Sequence, residues 1–247
     1  MSGHSKWHSI KHQKAAADAK RGAAFTKLAN AIAIAAKQGG ADPETNFALR
    51  LAIQRAKGSN MPSANIDRAI KRGTGQLGGD QIEEVVYEGY GPGGVALIIE
   101  TATDNRNRTG PEIRTALGKS GGRIADMGSV VYQFDQKGVI RLKPSDIEAA
   151  TLDAIEAGAD DVENEDGELV VYTVANQLKN VQSKLEEMGH KVAESELAYI
   201  PKNTLMIDDQ KVAGQLMRLM DVLDDMDDVT ATHANFDLSE EVAKSLS

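Results

Sequence analysis

The sequence predicts a multidomain α+β protein: an N-terminal three-helix bundle followed by two βαββαβ-like α+β domains, one inserted in the other. Three observations lead there. Charge is split along the chain, since residues 1–75 hold 13 Lys and Arg against 4 Asp and Glu, whereas the other 172 residues hold 15 against 33. Apolar spacing changes at about Gln76, from steps of three and four to short β-branched runs. Turn signals rich in Gly, Pro and Asp then separate alternating strand-like and helix-like segments.

The bundle is justified first. An Ala- and Lys-rich helix is predicted over residues 11–20, interrupted by Arg21-Gly22. Phe25, Leu28, Ile32 and Ala36 recur at helical spacing, and Gly39-Gly40 ends that helix. Asp42-Pro43 reads as an N-cap with proline at the first helical position, opening a helix that buries Phe47 and Leu51, with Leu49 and Ile53 as further core candidates, and closes at Gly58. A last helix follows Met61-Pro62-Ser63, turns Ile66 and Ile70 inward and stops at Gly73.

Beyond Gln76, Val85, Tyr87 and the run 95–99 read as strands joined through Gly91-Pro92-Gly93-Gly94. Thr109-Gly110-Pro111-Glu112 has the form of a capping box opening a helix to about Lys119. Residues 130–134 and 139–142 read as strands. A second round follows: helix 145–157, strands 161–163 and 169–173 around an Asp166-Gly167 hairpin signal, helix 177–188 and strand 192–199. Strand 204–207, helix 210–223 and strand 229–233 complete the chain. Neither 76–134 nor 204–247 supplies a full sheet alone. The expected domains are therefore 1–75 as a basic helical bundle, 76–134 plus 204–247 as a discontinuous α+β domain, and 135–203 as an inserted acidic α+β domain.

Composition narrows the function. The chain has no cysteine, which excludes disulfides, thiolate chemistry and sulfur-based zinc sites. No apolar run approaches the roughly 20 residues of a membrane span, and the start has no signal-like stretch, so a cytoplasmic protein without membrane partners is expected. His4, His8 and His12 stand at i, i+4 and i+8, yet no carboxylate or thiol nearby completes a metal site. Asp160-Asp161 through Glu168 miss the calcium-loop spacing. Asp224-Asp225-Met226-Asp227-Asp228 reads as a solvated helix end. With no converging base, nucleophile or metal triad, the expectation is a protein without enzymatic activity, catalytic residues, metal or cofactor.

What remains is nucleic acid, because each Lys or Arg set against a phosphate releases a condensed counterion. Lys6, Lys11 and Lys14 are expected to grip backbone while Trp7, the chain's one tryptophan, stacks on a base. Lys20, Arg21, Lys27, Arg50, Lys57, Arg68, Lys71 and Arg72 supply the bundle's cations. Arg106 and Arg108 lie between a strand end and a helix N-terminus, where amide groups and the helix dipole favour an anion. The competing reading of that loop is structural, with Asp104 and Asn105 as turn and cap formers and the arginines paired to Glu112 or Glu100.

These stretches resemble the YebC/PmpR family. The shared blocks stand here as GHSKW at 3–7, IKH at 10–12, DAKRG at 18–22, NMP at 60–62, NIDRAIKRG at 65–73, YEGYGPGG at 87–94, TDNRNRT at 103–109 and GSV at 128–130. Gln13 and Gly22-Ala23-Ala24 depart from the more basic family pattern. The resemblance implies a helical bundle followed by two α+β domains and a non-enzymatic role in gene expression. Members are described as DNA-binding transcriptional regulators, a mitochondrial relative as a translational activator, and bacterial members are linked to the ribosome. Expected partners are therefore DNA or, alternatively, ribosomal or transfer RNA, with the ribosome as a further candidate. The oligomeric state is open, a monomer being favoured. Reversing Lys20, Arg21, Arg50 and Lys57 to Glu is expected to abolish nucleic-acid binding, read by gel shift, with the fold retained in circular dichroism.

Overall fold

The computed structural model describes residues 21–78, 81–165 and 167–246. Two compact units emerge among the described residues: 134–200 form one, and 21–133 with 201–246 form the other. The predicted helix 11–20, Lys6, Trp7, Lys11, Lys14, Lys20 and the three early histidines lie outside the described residues, as does the side chain of Arg21.

The larger unit opens with three helices, α1 (Arg21–Gly39), α2 (Phe47–Gly58) and α3 (Ser63–Gly73). Ile32, Ala36, Leu49, Ala56, Met61, Ile66 and Ala69 form their shared core. Two details differ from the sequence expectation. The second helix starts four residues beyond Pro43, because Asp42 closes a turn by accepting the Asn46 amide at 2.9 Å. Asn46 is then the cap, accepting the Leu49 amide at 3.0 Å while its own amide donates to the carbonyls of Ala35 and Gly40, both at 2.8 Å. That start sets the helix phase so that Leu49, not Phe47 or Leu51, is fully buried.

Alanine-rich faces let α1 and α3 approach closely. At Gly73 a Cβ would lie only 2.1 Å from the Ala33 carbonyl oxygen. No side chain fits there, so glycine is required by contact rather than by backbone conformation.

The sheet of this unit has the order β3-β1-β2-β9, built from β1 (Glu83–Tyr90), β2 (Ala96–Thr103), β3 (Arg123–Ile124) and β9 (Val229–Ala234). β1 and β2 pair antiparallel from Glu83↔Thr103 to Tyr90↔Ala96. β2 and β9 also run antiparallel, joining segments about 130 residues apart. β8 (Leu205–Ile207) and β10 (Phe236–Leu238) form a small parallel pair.

β2 is buried along nearly its whole length. Leu97 and Ile99 face α4 (Arg106–Lys119) and α7 (Gln210–Asp224), meeting Ile113, Leu117, Leu216 and Leu223. On the other side Ala102, with Ile82, packs against Ala33 and Ile34 of α1. Burial on both faces explains a strand that reads as a continuous apolar run rather than an alternation.

α4 starts at Arg106, capped by the Asn105 side chain, which accepts the Arg108 amide at 3.1 Å. The predicted box at Thr109 is not formed: Thr109 lies inside the helix with its hydroxyl turned into the core, and Pro111 sits within the first two turns. The predicted strand 130–134 is replaced by a 3-10 turn over Val131–Gln133. The amides of Val130 and Val131 donate to the buried Glu88 carboxylate at 2.6 and 2.9 Å and so cannot join a strand ladder.

Residues 134–200 run β4 (Phe134–Leu142), α5 (Ile147–Ala157), β5 (Asp161–Glu165), β6 (Glu168–Val174), α6 (Leu178–Glu187) and β7 (Val192–Pro201). The strand order β5-β6-β4-β7 is that of a split βαβ sandwich. Asp146 caps α5 by accepting the Ala149 amide at 3.1 Å, and Gly158 ends it in a left-handed conformation. The hairpin between β5 and β6 closes on Glu165↔Glu168. A remaining helix, α8 (Glu240–Leu246), packs Val242 into the core of the larger unit.

Gly73→Ala is expected to lower stability by about 1–3 kcal/mol, since overpacking here meets backbone that cannot rotate away. Urea denaturation with an unchanged m-value would report it; a wild-type midpoint would show that α1 and α3 need no close approach.

Candidate nucleic-acid interface

The cations of the larger unit fall into two groups. Lys57 at the end of α2 and Arg68 and Lys71 on α3 are exposed, and their side chains have no hydrogen-bond or ion-pair partner among the described residues. Arg68 and Lys71 are three residues apart and share a helix face. These side chains can meet a phosphate without first surrendering a partner.

The second group is engaged. Arg50 donates from Nε to the Pro43 carbonyl at 3.0 Å and from a terminal nitrogen to the Glu44 carbonyl at 2.9 Å, fastening the turn before α2. Lys27 donates to the Asp224 backbone carbonyl. Arg106 pairs with Glu83 at 2.5 Å. Arg72 bridges Asn30 Oδ1 and Asp104 Oδ2, each at 3.0 Å. Arg108 grips Asp228 at 2.6 Å and Asp104 at 3.2 Å. The arginines of the 103–109 loop therefore pair with Glu83, Asp104 and Asp228, not with the Glu112 or Glu100 anticipated in the structural reading.

Asp228 is the centre of this second group, although the sequence places it in a solvated acidic run. Its carboxylate is buried, and accepts from Thr109 Oγ1 at 2.6 Å and Thr103 Oγ1 at 3.2 Å besides Arg108. Its own backbone carbonyl accepts the Ala102 amide at 2.8 Å. Burial pushes the carboxyl pKa up, but the hydrogen bonds and charge arriving from Arg108, Thr109 and Thr103 outweigh it and hold the group below its ordinary value.

A cleft of about 430 Å³ opens beside these residues, lined by Thr26, Asn30, Arg72, Asp104, Arg108 and Asp227 among others. Its walls come from α1, α3, the 103–109 loop and the turn before β9. Sequence reasoning found the two arginines but missed Asn30, Asp104 as a bridging carboxylate and Asp228. The only local signal was an Asp directly before a β-branched strand; its partners lie some 120 residues away. Among the described residues no group of three or more His, Asp or Glu side chains could hold a metal ion.

Comparisons place the whole chain. A family model described as the TACO1/YebC protein N-terminal domain matches residues 5–76, and one described as the TACO1/YebC second and third domain matches residues 82–236. A "Probable transcriptional regulatory protein" of Halothermothrix orenii is 48% identical over 250 residues, covering 100% of this chain and 99% of that one. One of the same name from Persephonella marina is 49% identical, with 100% of each chain covered. The crystal structure of a conserved hypothetical protein from Aquifex aeolicus superposes with a TM-score of 0.85 at 43% identity, covering 90% of this chain and 93% of that chain.

Asp228→Asn is expected to cost about 1–2 kcal/mol at neutral pH, a charge-assisted bond partly screened because Arg108 is half-exposed. Since the folded-state pKa lies below the unfolded one, this stabilisation is present above roughly pH 4 and fades as pH falls through the folded value. Urea midpoints of wild type and variant should thus converge between neutral and strongly acidic pH. A gap that persists at low pH would mean the carboxylate charge is irrelevant.

Proposed function

The chain belongs to the TACO1/YebC family, and from that premise we propose that it is a non-enzymatic, nucleic-acid-binding regulator of gene expression, acting as a DNA-binding transcriptional regulator. The observation that carries this reading is the pairing of two facts. The first 75 residues hold an excess of nine positive charges, and Lys57, Arg68 and Lys71 within them stand exposed and unengaged. A solvated surface without a partner would mix its signs. Names given to the relatives, probable transcriptional regulatory proteins, agree with it.

These cations sit at helix ends and on one short helix rather than along a single recognition helix. Such an arrangement meets phosphates and supplies affinity with little base readout. Lys20, Arg21 and the tail cations Lys6, Lys11 and Lys14, with Trp7, would extend the surface. Arg50, Arg72, Arg106 and Arg108 would contribute by fixing the loop and helix positions, and only secondarily as direct contacts. The same spread of cations favours a second reading, a cytoplasmic translation factor on the ribosome that binds ribosomal or transfer RNA, because structured RNA is recognised by shape and backbone more than by groove-inserted helices.

The triple variant Lys57→Glu, Arg68→Glu, Lys71→Glu tests the binding surface without disturbing the Arg50 turn. For a mixed-sequence duplex, the slope of log affinity against log salt should become shallower by nearly three, about 0.9 for each lost phosphate contact. An unchanged slope would remove this surface from the interface. Competition between genomic DNA and purified ribosomes decides between the two readings.

A further inference from the structure

The segment between β3 and β4, residues 125–133, is unusual in how much structure holds it and what it displays. Glu88, on β1, is buried, and its carboxylate accepts three loop amides: Gly128 at 2.6 Å, Val130 at 2.6 Å and Val131 at 2.9 Å. The Ala125 amide donates to the Glu88 carbonyl at 2.8 Å, and the Tyr90 hydroxyl to the Ser129 carbonyl at 3.3 Å. Gly128 takes φ +84°, a left-handed turn that other residues resist, and Val130 is wholly buried as an apolar anchor. Burial pushes the Glu88 pKa up, while the three amides pull it further down, so the group is a carboxylate at neutral pH.

This frame presents two large side chains to solvent. Met127 is 91% exposed and Tyr132 66% exposed. An isolated exposed apolar residue needs no explanation. Two within six positions, on backbone fixed by a buried carboxylate, are held out with the backbone ordering cost already met, which is an arrangement that favours binding.

The surrounding charge indicates the partner. Lys119 closes α4, Arg123 is exposed on β3 with its guanidinium 5.0 Å above the Tyr90 ring, and Lys202 donates to the Tyr132 carbonyl at 3.0 Å. Asp126 is the loop's only carboxylate. An anionic partner with open flat rings satisfies this set: cations meet phosphates, the tyrosine ring stacks on a base, and the unbranched methionine slides between or beside bases. Paired bases keep their faces covered, so a duplex can use the platform only by unstacking a base step at an energetic cost, whereas a single strand offers open faces.

We propose that the 125–133 loop is a second nucleic-acid contact, specific for unpaired nucleotides, in which Tyr132 stacks on a base, Met127 wedges beside it and Arg123 meets the flanking phosphate. This rests on the nucleic-acid reading above but concerns a different surface from α2 and α3.

The test compares the full chain with Tyr132→Ala, Met127→Ala and Tyr132→Trp by fluorescence anisotropy. The probes are a short mixed-sequence RNA strand and the same strand annealed to its complement. Both native side chains are solvent-exposed, so melting temperatures should stay at the wild-type value. Tyr132→Ala is expected to weaken binding of the single strand by about fivefold or more, the value of one lost stacking contact, with duplex affinity unchanged. Met127→Ala should act in the same direction, and Tyr132→Trp should restore the wild-type affinity. Unchanged single-strand affinity in both alanine variants overturns the proposal, as does an equal loss on strand and duplex. A wild-type chain that binds the duplex but not the strand overturns it while leaving the proposed function standing; one that binds neither removes both. Loss of a protein partner by the loop variants, with nucleic-acid affinities intact, would reassign the loop to protein recognition.

Discussion

Asp228 is the constraint on which the larger unit depends. It is carried by the returning C-terminal segment, yet every group that satisfies it belongs to residues 102–109. A buried carboxylate without those partners would be costly, so the two halves of the discontinuous unit must close on each other. Once closed, Arg108 is shared between Asp228 and Asp104, and Asp104 in turn receives Arg72 from α3. Through Arg72 the chain of contacts reaches Asn30 on α1, whose side-chain amide donates to the Ala102 carbonyl at 3.3 Å. Helices and sheet are thereby joined by polar contacts that have definite directions, above an apolar contact of Ala33 with Ala102 that has little. Hydrophobic burial holds the layers together; the ion and hydrogen-bond chain specifies how they are aligned.

That arrangement changes the meaning of several cations. A lysine or arginine already donating to a carboxylate or carbonyl must give that contact up to bind a phosphate, so its net contribution to binding is small. Lys57, Arg68 and Lys71 face no such exchange. Residues 134–200 contribute 6 Lys and Arg against 15 Asp and Glu, and so oppose any polyanion. Net positive charge is concentrated in the first 75 residues, a segregation that would orient an approaching polyanion as well as attract it.

A second buried carboxylate, Glu88, acts on a smaller scale by the same physics. Three amides around one carboxylate fix the backbone of the 125–133 loop more firmly than apolar packing of a single Val130 could. The YEGYGPGG and GSV stretches, forty residues apart, are thus two halves of one feature: the acid and the amides it collects. The glycine at 128 belongs to it because the amides converge only if the chain turns through the left-handed region.

Much of the architecture follows from local rules that sequence carries directly. The helix end at Gly39-Gly40, where Gly40 takes φ +89°, the hairpin glycine at 167 with φ +90° and the apolar run of β2 reflect backbone preference and side-chain period, which act between near neighbours. The α+β class and the segregation of charge likewise need no coordinates. Where a residue's role depends on a distant partner, local rules favoured the wrong candidate. Pro43 and Thr109 looked like helix starts, but Asn46 and Asn105 took the caps, because Asp42 was committed to a turn and Thr109 to Asp228. The run 130–134 looked like a strand, but its amides were taken by Glu88. Asp228 looked like one of several solvated acids until β9 paired beside β2. Sequence by itself determined most of the helical and extended segments and where the positive charge lies. Tertiary structure alone decided which charges are spent inside the molecule and which remain for a partner, since an ion pair depends on distance in space and carries no trace in sequence spacing.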